Sequence, residues 1–137
     1  MRIIAGKLKG STLHIPKNKN TRPLKDLARE SIFNLLIHSK KIKLSLDQSK
    51  VLDLYAGTGS FGLECLSRQA KSVFFVEKND DALEILKKNI EKLKLNKKIK
   101  IFSENTFQAI EKTKETIKIL EKNIEKLKVK KNVDIFF

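Results

Sequence analysis

The chain is 137 residues long, 40% apolar and 34% charged, with a formal charge of +14. These figures exclude a disordered polyelectrolyte and a helical membrane protein, since no apolar run approaches the roughly 18 residues of a span. They leave room for one modest core, and Cys65, the only cysteine, rules out an internal disulfide and reads as core packing in an apolar helical pattern.

In chain order, residues 1–10 lack the apolar stretch of a signal peptide, which gives a cytoplasmic reading. The segment RIIAGKLKGSTLHIP alternates apolar and polar residues about a glycine-containing turn, with Ile4, Leu8, Leu13 and Ile15 apolar, and reads as a β-hairpin closed by Pro16. In KNKNTRPLKDLARESIFNLLIHSK, Pro23 suits a first helical turn, and Leu24, Leu27, Ala28, Ile32, Leu35 and Leu36 form one apolar stripe. The polar face of that helix is read as carrying Arg22, Lys25 and Arg29. Residues 38–50 are a polar connection with no assigned element.

From residue 51 the pattern becomes strand–helix alternation: VLDLY, a helix over 60–68, SVFFVE, a helix over 80–95, IKIF, a helix over 107–128, and VDIFF. Such alternation predicts a parallel sheet with right-handed crossovers. Asp80, Asp81 and Glu84 open the second of these helices, where acids complement the macrodipole. The segments at 85–102 and 119–136 agree at 12 of 18 positions. A doubly wound sheet, in which helix runs repeatedly into strand, explains this better than a solenoid. The domain division is therefore 1–50, a basic hairpin and helix, and 51–137, a ligand-binding α/β unit.

The charge follows that division. Residues 1–50 hold 12 Lys and Arg against 3 Asp and Glu, so +9 of the +14 lies there. A localised basic surface predicts a polyanion, because each cation that meets a phosphate releases a condensed counterion.

The chemistry concentrates in VLDLYAGTGSFGLECLSR. Asp53 lies in an apolar strand, then come Gly57, Gly59 and Gly62, then a helix. Gly57-x-Gly59-x-x-Gly62, with Glu77 closing the next strand, fits a dinucleotide cradle and equally a site for S-adenosyl-L-methionine. Asp53 tips the balance, since an acid there repels a pyrophosphate and attracts the ammonium of the methionine end.

These residues, with MRIIAGKLKG and RPLKDLARESIFN before them, resemble the RsmD-type small-subunit ribosomal RNA guanine-N2 methyltransferases. The resemblance runs over the whole chain, although Leu24 stands where a Thr commonly follows Arg-Pro. It implies a Rossmann-like class I methyltransferase fold of α/β type. It implies S-adenosyl-L-methionine held by Asp53, Ala56, Gly57 and Gly59 at its methionine end, by Glu77 at the ribose, and by the surroundings of Glu104 and Asn105 at the adenine. It also implies ribosomal RNA, or the assembling small subunit, as partner to Arg2, Lys7, Lys9, Arg22, Lys25 and Arg29, with neither metal nor membrane. The family's Asp/Asn-Pro-Pro-Tyr/Phe motif should follow VDIFF. The only prolines here are Pro16 and Pro23, so no catalytic residue is assigned and a chain truncated before that motif is expected. Two other functions remain open: a catalytically silent RNA-binding remnant and a fragment of a nicotinamide-dependent oxidoreductase.

Overall fold

The computed structural model describes residues 1–16, 26–38 and 45–103. The elements are α1 (Asp26–His38), β1 (Lys50–Leu54), α2 (Ser60–Ser67), β2 (Ser72–Val76), α3 (Asp80–Lys92) and β3 (Ile99–Phe102), with a 3-10 turn at Asn96–Lys98. The strands form one parallel sheet in the order β1-β2-β3, with Asp53 opposite Phe75 and Phe75 opposite Ile101. The expected parallel sheet with crossover helices is thus present, its elements within a few residues of the sequence boundaries. The helix expected over 107–128 and the strand over 133–137 lie outside the described residues.

Each strand is five residues or fewer, so the β-branched and aromatic content of VLDL, SVFFV and IKIF has to supply the sheet's cohesion. On the helix-covered face, Val73 and Phe75 are fully buried with Leu63 and Leu66 of α2 and Leu83, Leu86 and Ile90 of α3. Phe74 takes the opposite face, stacked on Phe102 with Lys100 above its ring. The α3 helix starts where Asn79 caps it, its side-chain oxygen accepting from the Ala82 N–H, with Asp80 and Asp81 in the first turn. Cys65 is buried in the core as its setting predicts.

The N-terminal segment is a looser hairpin than its alternation suggests. A single antiparallel bridge, Arg2 to Thr12, is flanked by bonds from Ile3 N–H to Ser11 O and from Leu13 N–H to Met1 O. It does not stand apart, because Ile3, Leu13 and Phe33 of α1 belong to the same core cluster as the sheet.

α1 departs from its expected orientation. Leu27 and Leu35, expected in the buried stripe, are 74% and 65% exposed, while Arg29 and Phe33 are fully buried. Phe33 stacks on Phe61 at 4.8 Å between ring centroids, with the Arg68 guanidinium over its other surroundings at 4.4 Å from the centroid. Aromatic stacking at this position outweighs the leucines, and it turns Arg29 inward. Among the described residues, no helix is long and apolar enough to cross a membrane.

Candidate cofactor cradle and RNA-facing hairpin

The cradle forms at the carboxyl end of β1. Gly59, the residue before α2, has no side chain to satisfy the helix's first N–H groups. Asp53 does this from the strand, its Oδ2 accepting from the Gly62 N–H at 2.9 Å. The carboxyl is buried, and desolvation pushes its pKa up to about 7, with Glu77 adding repulsion against the opposing Gly62 bond. No donor among the described residues reaches its second oxygen, so Asp53 is a partly satisfied buried acid beside a loop.

The three glycines of that loop do different work. A Cβ on Gly59 would lie 2.3 Å from Leu86 Cδ1, and one on Gly62 2.4 Å from Phe75 Cε1, so both let α2 and its loop close onto α3 and β2. Gly57, at φ +55°, is the one whose Cβ direction meets nothing within 4 Å. Its N–H donates to Glu77 Oε2 at 2.7 Å, while the Lys78 and Asn79 N–H groups donate to Oε1. A carboxylate accepts about four bonds, so Glu77 keeps one acceptor position beside the bare Gly57 backbone. Ala56 ties the loop to the sheet through its N–H to Val76 O.

This donor set fits a ligand with a cationic end near Asp53 and a hydroxyl-bearing sugar near Glu77. It suits a pyrophosphate poorly, because the α2 N–H that an anion would take is already held by Asp53. Asn105 and Glu104, expected near an adenine, lie outside the described residues.

Two buried polar residues that sequence reasoning passed over hold the cradle to the hairpin. Asn89, fully buried in α3, accepts from His14 N–H at 2.7 Å and donates to His14 O and, at 3.0 Å, to Thr58 O in the glycine loop. Glu64, fully buried in α2, accepts from Ile4 and Ala5 N–H and from Arg68 Nε. Ser67 adds a bond from Leu8 N–H, and its carbonyl accepts from Lys7 N–H. The signal for both was a single polar residue interrupting an apolar helical stripe.

The expected RNA-facing residues divide. Arg2, Lys7 and Lys9 are exposed on the hairpin. Arg22 and Lys25 lie outside the described residues. Arg29 is a correction: it is fully buried, paired with Asp26, bonded to Arg2 O and 3.9 Å from Glu64, so it holds the interior together and presents nothing to RNA. A buried guanidinium needs such compensation, and Glu64 supplies it.

A family profile described as Conserved hypothetical protein 95 matches residues 1–113. The chain belongs to this family. It is 42% identical over 94 residues to ribosomal RNA small subunit methyltransferase D of Haemophilus influenzae, covering 69% of this chain and 46% of the relative. It is 34% identical over 110 residues to YlbH of Bacillus subtilis, provisionally named an rRNA methyltransferase, covering 80% and 56%. Among solved structures, yhhF of Escherichia coli, provisionally named a methyltransferase, superposes with a TM-score of 0.65 at 30% identity, over 79% of this chain and 54% of that one. The RsmD-type resemblance and the methyltransferase fold are thereby confirmed. The chain spans about half the length of the curated relatives it matches.

Proposed function

We propose that the chain is the cofactor-binding and RNA-facing portion of an S-adenosyl-L-methionine-dependent methyltransferase acting on the exocyclic N2 of a guanine in small-subunit ribosomal RNA. One observation carries the reading: a buried, half-satisfied Asp53 beside the open Gly57 backbone and the spare acceptor of Glu77. The cofactor would supply an electrophilic sulfonium methyl. Asp53 holds the ammonium, and Glu77 takes a ribose hydroxyl while it fixes the loop through Gly57. The names of the relatives support ribosomal RNA as the substrate class.

The guanine amine is a poor nucleophile because its lone pair is delocalised into the ring, so transfer demands a base held in line with the methyl and an acceptor for the amine proton. No described residue is assigned that acceptor role. The hairpin cations Arg2, Lys7 and Lys9 would engage RNA phosphates.

Calorimetry with S-adenosyl-L-methionine tests the cradle. Saturable heat that Asp53→Ala removes is expected; a folded protein giving no heat, or heat indifferent to that substitution, defeats the reading. Salt-steep RNA binding by a protein that takes up no cofactor would instead establish a silent RNA-binding module.

A further inference from the structure

Tyr55 follows β1 directly, between Asp53 and Gly57. It adopts φ +57°, in the left-handed region where a bulky residue is a genuine outlier, and its side chain is 68% exposed. No hydrogen bond or ring contact among the described residues accounts for either fact. A strained, exposed aromatic at the carboxyl end of a strand in an open α/β sheet stands where ligands bind. Core packing does not explain it, since the neighbouring apolar residues Leu54 and Ala56 are both more enclosed.

We infer that the Tyr55 ring is the platform on which an unpaired purine of the RNA substrate stacks beside the cofactor cradle. The inference rests on the methyltransferase reading above. It assigns the ring to RNA and not to the cofactor's adenine because of the order of the elements. Glu77 tops β2, so the sugar it holds, and the base on that sugar, belong to the β2 side of the loop, where Gly57 N–H meets Glu77. Tyr55 tops β1, the strand of Asp53, at the cationic end where the methyl must meet its acceptor. Sequence-specific RNA recognition splays unpaired bases onto aromatic faces, and removing a base from its stack leaves a π-face that needs a partner. The exposed hairpin cations supply the phosphate contacts that a lone ring lacks.

The chain offers a direct probe, since it contains one tyrosine and no tryptophan. Its intrinsic emission therefore reports Tyr55 alone. Titration with a short RNA stem-loop carrying one unpaired guanine should quench that emission saturably, and a fully paired duplex of matched length and absorbance should not. Tyr55→Leu should weaken stem-loop binding on the order of tenfold to a hundredfold, the range for losing one stacked base, with Tyr55→Phe near wild type and duplex binding unchanged in all three. Equal quenching by the duplex, or unchanged stem-loop affinity in Tyr55→Leu, overturns the inference. So does quenching by S-adenosyl-L-methionine alone, which would place the ring on the cofactor. Calorimetric cofactor binding measured on the same samples separates the two levels. A Tyr55 response to RNA without cofactor binding refutes the methyltransferase reading and sustains the base contact. Cofactor binding with a silent Tyr55 refutes only the contact.

Discussion

Replacing Asp53 with Asn should stabilise the protein at pH 8 relative to its stability at pH 4, while abolishing cofactor binding. Burial raises the carboxyl from 3.8 to about 7. Each unit corresponds to about 1.36 kcal/mol, so the ionised form is disfavoured in the folded state by on the order of 4 kcal/mol. The folded state binds the proton more tightly than the unfolded state. Stability from this group is therefore fully present below pH ~4, is eroded as pH rises from about 4 to about 7, and is absent above that. Asn cannot ionise, yet its carbonyl oxygen can still accept from Gly62 N–H. Any constant cost of the new amide cancels when the two proteins are compared across pH. Urea denaturation of both at pH 4, 6 and 8 should show the variant gaining on wild type by about 4 kcal/mol over that span. A stability difference that stays flat with pH would refute the assignment of a protonated buried Asp53. The same chemistry predicts that cofactor binding strengthens as pH rises through about 7 and releases a proton near pH 6.5, visible as a buffer-dependent calorimetric enthalpy.

The glycine roles separate under single alanine substitutions. Gly62→Ala forces a methyl onto Phe75 and should cost about 1–3 kcal/mol in urea unfolding, whereas Gly57→Ala meets only backbone strain of about 1–2 kcal/mol but should lower cofactor affinity at least tenfold; equal effects on stability and binding would contradict the division. Glu64→Gln strips the buried Arg29 of its charge partner and should cost about 3–5 kcal/mol, with faster hydrogen exchange at Ile4 and Ala5; unchanged protection there would deny the clamp. Asn89→Ala leaves Thr58 O and the His14 backbone unpaired, and about 2–4 kcal/mol of destabilisation should come with weaker cofactor binding, while an effect on stability alone would uncouple Asn89 from the loop.

Legibility followed the range of the interactions. The strands and helices from β1 to β3 were readable because period-two and helical patterns are local, and the cradle was readable because Asp53, the glycines and Glu77 lie on one strand–loop–helix–strand unit. The face of α1 was not. Its leucines outnumber its aromatic residues, but orientation was decided by Phe61, Glu64 and Arg68 on a different helix, and no pattern inside α1 carries that information. Arg29 was misplaced for the same reason: a basic residue on a helix reads as solvated until its buried partner is known. The glycines were legible as a motif and not as individuals, because only packing distinguishes Gly57, open to a ligand, from Gly59 and Gly62, closed against Leu86 and Phe75.

The interior polar groups explain why a basic hairpin with one β-bridge can serve a site built on the sheet. A two-stranded hairpin is marginal by itself in water. Here its backbone N–H groups at Ile4, Ala5, Lys7 and Leu8 are accepted by α2, and its exit at His14 is accepted by α3. α2 is also the helix whose first turn Asp53 caps, and Asn89 of α3 also holds the glycine loop at Thr58. The RNA-facing and cofactor-facing surfaces therefore share two helices and no hinge among the described residues. A displacement of the loop must strain the same hydrogen bonds that seat the hairpin. Because these bonds are buried, leaving any one unmade costs about 1–3 kcal/mol, which is enough to keep Arg2, Lys7 and Lys9 at a fixed distance from Asp53 and Tyr55.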